Sequence, residues 1–398
     1  MPILFGVVLI DLIGFGIVIP ILPFLSPQLG ADKVDIALII VTYSACAGIF
    51  APFWGKLSDR RGRKPVIMFC LAGGALSYVM LALASELWMV FLARGFAGVM
   101  AGNFGVASAM MADITPPEKR AKGMGLIGAA FGLGMVLGPL LGGLLSGDSG
   151  SFTLPCLFAG LTSVLAIAAA AVFLPESLSA ERQAANRAQQ KSPDRISSLQ
   201  LLKSTGSRLF TFQYVIHTAC VSSATYLFPL WVADLLDWGA REVGIVFGVQ
   251  GLIMVIIQGG AMGAIVGWLG EWRFLRISIA AFLLGLMLAV VAWDMNTMLA
   301  AMFISMSGAT ICMPLLNTLI TQRTPANHRG RIMGATAAAA SWGRVFGPAI
   351  AGFNLAWFGY SVAWAFCALL VVFYLAWAVL ESRKAALDSG QDALPPQG

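Results

Sequence analysis

Long apolar runs alternate with short polar breaks along the whole chain. Twelve are evident, at approximately 3–26, 35–57, 66–85, 87–112, 122–146, 154–174, 209–233, 242–265, 274–293, 297–321, 330–353 and 359–380. A helix crosses a bilayer core with about 20 mostly apolar residues. Each run approximates that length, and each is too long and too continuous for a barrel strand. The pattern therefore predicts an all-α membrane protein with twelve transmembrane helices. The widest polar interruption, 175–208, is rich in Gln, Ser and Arg and contains Pro175 and Pro193. It divides the chain into an N-terminal six-helix half (1–174), a linker (175–208) with an amphipathic stretch around Ser197–Ser204, a C-terminal six-helix half (209–380) and a short tail (381–398).

Charge turns that count into a topology. Hydrophobic residues make up 59% of the chain and charged residues only 11%, with a mean hydropathy of +0.84; a soluble domain carries about 25% charged residues. Of the 25 Lys and Arg, 21 fall on one side of the predicted bundle, and only Lys33 and Arg241 on the other. Arg94 and Arg344 lie inside spans. Lys and Arg concentrate in cytoplasmic loops. The linker and both termini are therefore expected in the cytoplasm, with the protein in the cell (inner) membrane. The net charge of +6 is an orientation signal, not a nucleic-acid footprint. The first span lacks a basic leader region and contains Asp11, so it is not read as a signal peptide.

The two halves repeat. Thr115-Pro116 aligns with Thr324-Pro325, and Gly134-Met135-Val136-Leu137-Gly138-Pro139 with Gly343-Arg344-Val345-Phe346-Gly347-Pro348, both at an offset of 209 residues. Six spans per half make the repeat parallel, an arrangement of transporters with a midplane site between rocking halves.

Asp11 lies eight residues past Ile3, about 12 Å into the membrane at 1.5 Å per residue. A carboxylate at that depth is costly unless paired or protonated, which makes it a functional candidate; the alternative is a structural hydrogen bond to helix 4 or 5. Arg94 enters from the opposite face and either biases Asp11 or satisfies backbone carbonyls. The second half has no acid inside a span. Its deep ionisable groups are His217, which either titrates near neutrality or is a satisfied core side chain, and Arg344, which either receives an anionic group or braces a neighbouring helix. Mid-span polar and aromatic residues, Tyr43, Asn103, Gln213, Tyr226, Gln250, Gln258, Asn317 and Trp342, are the remaining candidates for a substrate pocket. Six cysteines lie within spans without metal-ligand or disulfide spacing. No nucleotide motif, metal cluster or paired intramembrane acid points to an enzyme, a metal or a cofactor.

Five of the eleven residues in Gly55-Lys56-Leu57-Ser58-Asp59-Arg60-Arg61-Gly62-Arg63-Lys64-Pro65 are basic, so this segment reads as a tight loop at one membrane face. Together with Phe91-Leu92-Ala93-Arg94-Gly95-Phe96-Ala97-Gly98 and the run Gly132 to Gly143, it resembles the three signature motifs of the major facilitator superfamily. The Gly-Pro run is similar to the antiporter motif of its 12-span drug/proton efflux members. The segments Asp11 to Pro20 and Ala112-Asp113-Ile114-Thr115 resemble tetracycline/proton antiporters in particular. The resemblance implies proton coupling through Asp11, Arg94 and Asp113, and a gating latch from Gly55, Asp59, Arg60, Gly62 and Arg63. It also implies a leak-proof helix seal at Gly134, Gly138, Pro139 and Gly142. The expected function is proton-coupled efflux of small amphipathic compounds or drugs by a monomer. The alternatives are carriage of a metabolite, organic anion or lipid, and more remotely a non-transporting membrane sensor. The expected partners are a small-molecule substrate, protons and the lipid bilayer.

Overall fold

A computed structural model describes residues 1–116, 120–147, 152–179, 181, 208–324 and 329–391. The linker beyond Glu181, including the amphipathic stretch at Ser197–Ser204, lies outside the described residues. The helices are α1 (Pro2–Gln28), α2 (Lys33–Arg61), α3 (Arg63–Ala82), α4 (Leu87–Ile114), α5 (Arg120–Ser146), α6 (Thr153–Phe173), α7 (Arg208–Leu236), α8 (Ala240–Leu269), α9 (Glu271–Val291) and α10 (Met295–Gln322). The last helical stretch, Arg329–Gln391, runs 63 residues. At 1.5 Å per residue it would span about 95 Å, some three times a bilayer core. Gly359, with φ of 80°, breaks it into α11 (329–358) and α12 (360–391). Twelve crossing segments result among the described residues, as the apolar runs predict. The expected tail is helical as far as Gln391.

Local chemistry sets the ends. Asp32 and Asp35 form a reciprocal capping box at the start of α2, with Asp32 Oδ1 accepting from the Asp35 amide at 2.8 Å and Asp35 Oδ2 from the Asp32 amide at 3.1 Å. Asp294 caps α10. The segment expected as a loop at 55–65 is helical on both sides of a single residue, Gly62. Lys and Arg are good helix formers, and Arg60 and Arg61 suit the negative end of α2, so only the φ of 102° at Gly62 makes the turn.

Three features escape the apolar pattern. Helix α4 breaks at Ala101–Gly102, and the Trp54 indole donates to the Val99 carbonyl at the break. Helix α8 contains a π turn at Ile257–Ala261, an insertion type frequent at functional positions. Beside that turn, Gln258 Nε2 donates to the Thr310 carbonyl at 3.1 Å. Pro314 sits four residues after Thr310 and has no N–H to offer it, so a side chain from α8 supplies the donor that α10 lacks.

The first six helices build their own core, with α1 against α5 and α6, α2 against α4, and α3 against α6; in the last six, α7 packs on α11 and α12, and α9 on α10. The repeat is visible in packing. Gly134 and Gly138 press on α1 at Leu12 and Gly16, while Gly343 and Gly347 press on α7 at Val215 and Ala219.

The two groups of six meet along α5–α8 and α2–α11. Gly143 lies against Gly244, Leu140 against Gly248 and Val136 against Gly251; Ala37 lies against Gly352 and Gly48 against Ser341. These contacts cluster toward the face opposite the basic segment. There Tyr226 donates to the Lys33 carbonyl at 2.5 Å, the Lys33 ammonium pairs with Asp234, and Tyr360 donates to Asp234 at 2.8 Å. The Lys33–Asp234 pair is about 40% exposed on both sides, and such pairs contribute about 0–1 kcal/mol. Closure on this face therefore rests on glycine packing and the buried Tyr226. Toward the basic face, Gly125 and Gly128 of α5 and Gly259, Gly260, Gly263 and Gly267 of α8 have no described neighbour against which a Cβ would pack. These glycines face open space, so the packing that joins α5 to α8 at the far face is not continued toward the basic one.

Candidate functional site

The break in α4 places Asn103 at the start of a new helical segment, where its Nδ2 donates to Asp11 Oδ2 from α1. Asp11 is only half-buried. Of the two readings of this carboxylate, the bond to helix 4 is present, and accessibility is present with it. No ion pair joins Arg94 to Asp11 among the described residues. The Arg94 guanidinium instead stacks over the Tyr43 ring, 4.3 Å from its centre, and is buried with Nε unpaired. The direct bias of Arg94 on Asp11 expected from depth alone is therefore replaced by a cation–π contact. Gly98 makes this geometry, because it lets α4 touch the backbone of α2 at Tyr43.

Tyr43 is the centre of the group. Its ring lies 5.5 Å from Phe15 on α1. Its hydroxyl is within electrostatic reach of Arg94, Asp11 and, from the other half, Arg344. Tyr78 on α3 is buried within electrostatic range of Asp11 and Arg94. Arg344 on α11 interacts electrostatically with Tyr43 and with Tyr214 on α7, and its Nη2 donates to Ser341 Oγ at 2.9 Å. Tyr214 in turn meets Asn317 of α10. Asp11, Asn103, Tyr43, Arg94, Arg344 and Asn317 thus converge from both sides of the cleft.

Other expected pocket residues lie elsewhere. His217 is buried inside the second group of helices between the rings of Phe282 and Tyr374, each 6.0 Å away. Tyr226 belongs to the closure at the far face. Gln250 reaches Ser307 at 3.5 Å and Gln258 reaches Thr310, both linking α8 to α10. Gln213 is buried with its carbonyl oxygen unpaired. Trp342 is exposed and stacked on Phe346. Tyr214, Tyr78 and Ser341 join the group without a signal in the sequence beyond being polar or aromatic at mid-span.

The basic segment builds a separate cluster. Arg63 is buried. Its Nε binds Asp113 Oδ2 at 3.0 Å, Nη2 binds Asp59 Oδ1 at 2.8 Å, and Nη1 donates to Ser58 Oγ at 2.6 Å. Glu176, after α6, accepts from the amides of Arg63 and Lys64 at 2.9 and 3.1 Å, an anion at a helix N-terminus. These partners of Arg63 all belong to the first six helices and their C-terminal extension. Arg60 is exposed, and a Cβ added at Gly55 would meet no described atom within 4 Å. Because Arg63 is buried, Asp113→Asn is expected to cost about 1–3 kcal/mol of stability, and Asp59→Asn, at a more exposed carboxylate, under about 1 kcal/mol. Denaturant unfolding of the purified protein measures the difference, and equal losses would contradict this ranking.

No group of three His, Cys, Asp or Glu suited to a metal occurs among the described residues. The Major Facilitator Superfamily profile matches residues 4–348 and 273–396. The class H tetracycline resistance protein of Pasteurella multocida is 28% identical over 388 residues, covering 95% of each chain. The class E tetracycline resistance protein of Escherichia coli is 30% identical over 352 residues, covering 87% of this chain and 85% of the relative. The quinolone resistance protein NorA of Staphylococcus aureus (strain COL) is 26% identical over 353 residues, covering 87% of each. Among solved structures, the human organic anion transporter MFSD10 (TETRAN) superposes with a TM-score of 0.74 at 22% identity, covering 95% of this chain and 98% of that one. A twelve-span bundle of two repeated groups of six, matched along its length by that profile and by the tetracycline and quinolone resistance relatives, places this chain in the major facilitator superfamily of membrane transporters.

Proposed function

We propose that the protein is a proton-coupled exporter of small amphipathic compounds that works by alternating access in a bacterial inner membrane. One observation carries the reading: a single accessible carboxylate, Asp11, held by Asn103 at mid-depth in a cleft. A group that exchanges its proton with the open side, and then with the other after the halves rock, links proton flow to substrate flow. The names of the tetracycline and quinolone resistance relatives support export of such compounds. The basic face is cytoplasmic in this reading, with both termini on that side, and residues 1–174 and 209–380 move as the two halves of a monomer. Asp59, Arg60, Arg63 and Asp113 then form a latch that engages the second half when the cleft opens outward, and Gly134, Gly138, Pro139 and Gly142 limit proton leak.

Two measurements test this. Single cysteines placed at Ser192 and Ser389 should resist a membrane-impermeant thiol reagent in intact cells and react once the membrane is permeabilised; efficient labelling from outside would invert the topology. The native cysteines all lie in spans, and five of the six are buried. In proteoliposomes, an imposed pH gradient should drive accumulation from a mixed panel of cationic, neutral and anionic amphiphiles. Accumulation of none, by protein of confirmed fold, would remove the proposal.

A further inference from the structure

Arg344 has less company than its position demands. It lies twelve residues past Ile332, about 18 Å along α11 and near the middle of a ~30 Å core. A guanidinium offers five N–H donors, yet the hydrogen-bond partner described for Arg344 is Ser341, one turn earlier on its own helix. Asp11 is the only acid deep within a span, and it binds Asn103 from the other side of the cleft. Asp234, Asp237, Glu242, Glu271 and Asp294 lie at helix ends or beyond, and Glu381 and Asp388 lie in the part of α12 past its apolar run. Protein surrounds Arg344, but its side chain remains exposed to the cleft. Arg94 differs: it is buried and occupied by the Tyr43 ring. A cation at this depth is costly without a counter-charge, and no ion pair joins Arg344 to an acid among the described residues.

We infer that Arg344 receives an anionic group of the transported compound, and that the preferred substrates are aromatic zwitterions whose acid end meets Arg344 and whose basic end meets Asp11. The walls fit such a frame. Tyr43 feels the charge of both Arg344 and Asp11, Phe15 lies against Tyr43, and Tyr214 on α7 feels the charge of Arg344. Planar guanidinium–carboxylate contacts are strong and directional, and lysine reproduces only their charge. A basic end that displaces the proton from Asp11 also gives the exchange its sign. This inference rests on the exporter reading for the transport step but not for binding.

The test uses three matched probes, 4-(aminomethyl)benzoate, benzoate and benzylamine, with binding to the purified full chain followed by saturation-transfer NMR. The expected order in the wild type is zwitterion tightest, then benzoate, then benzylamine. Arg344→Ala and Arg344→Gln should each weaken binding of the two carboxylates by about 10- to 100-fold, the range for a lost charge-assisted hydrogen bond, and leave benzylamine unchanged. Arg344→Lys should retain part of the carboxylate preference, which separates loss of recognition from loss of fold. Carboxylate binding that survives both neutral variants overturns the inference. So does the absence of any carboxylate-dependent binding to the wild type. Intact Arg344-dependent binding with no pH-gradient-driven movement of labelled 4-(aminomethyl)benzoate in proteoliposomes would sink the exporter reading and leave the site standing.

Discussion

Asparagine in place of Asp11 is expected to abolish uphill transport while leaving downhill equilibration measurable. A gradient of one pH unit stores about 1.4 kcal/mol per proton, enough for about tenfold accumulation at one proton per substrate. Asp11 is the one acid in the interior of a span, so in the proposed cycle it is where that energy enters. Asparagine has the shape and neutrality of the protonated acid. It keeps a hydrogen-bonding partner for Asn103 and permits the halves to rock, but it carries no exchangeable proton. Accumulation ratios should therefore fall to about one under an imposed gradient, by the same conversion, while counterflow of labelled against unlabelled substrate persists. Full accumulation by Asp11→Asn would move the proton site elsewhere, with Asp113 and His217 the next to replace. Arg94→Ala is expected to act by a different route. Its guanidinium meets Tyr43 and not Asp11, so the change should loosen the Tyr43 wall before it touches proton exchange.

The second large effect is expected at Gly138. A Cβ there would lie 2.5 Å from the Gly16 Cα and 2.8 Å from the Ile13 carbonyl oxygen, both backbone atoms of α1 that cannot turn aside. Gly16 meets the same wall from its own side, with Gly134, Gly138 and Pro139 all close. Overpacking of this kind costs about 1–3 kcal/mol for a small group, and valine should exceed alanine. The functional loss should be greater than the loss of stability. Helix α1 also carries Asp11, and pushing it away from α5 changes the distance to Asn103. Gly138→Ala is expected to fold with a lowered melting temperature and impaired gradient-driven transport; Gly138→Val is expected to yield little folded protein. Wild-type transport by Gly138→Val would show that α1 and α5 are not held at this spacing in the working protein.

The spans were legible because a bilayer imposes a length on any helix crossing it, and apolar runs of that length have few other uses. Asp11 and Arg344 stood out for the same reason, as charges where charge is expensive. What periodicity does not carry is the break in a helix that stays apolar across it. Helix α4 reads as continuous through Ala101-Gly102-Asn103, yet the break there aims Asn103 at Asp11. The Trp54 indole that supports it comes from α2, 45 residues away in sequence. Partner choice was equally hidden. Depth along a helix brought Arg94 near the level of Asp11, but azimuth sent it to Tyr43. Tyr226 and His217 looked like pocket residues because they are polar at mid-span; one closes the far face and the other sits among aromatic rings inside its own group of helices. The segment at 55–65 misled in the opposite direction: its charges suggested a loop, and helix propensity prevailed everywhere except Gly62.

The π turn at Ile257–Ala261 has a consequence for the phase of α8. Gly244, Gly248 and Gly251 form a line toward α5, advancing at about 3.6 residues per turn. Continued without interruption, that line would pass close to positions 255, 258 and 262. A π turn inserts one residue and carries the line on to Gly263 and Gly267. On α5 the facing line descends from Gly143 through Leu140 and Val136 to Gly132, and its next members are Gly128 and Gly125. By this count the extra residue turns two glycines of α8 to the side of two glycines of α5, at the end of the pair where the two helices stand apart. Like a vernier with two coincident marks, the pair carries one matched surface that is closed at the far face and a second, already in register, toward the basic one.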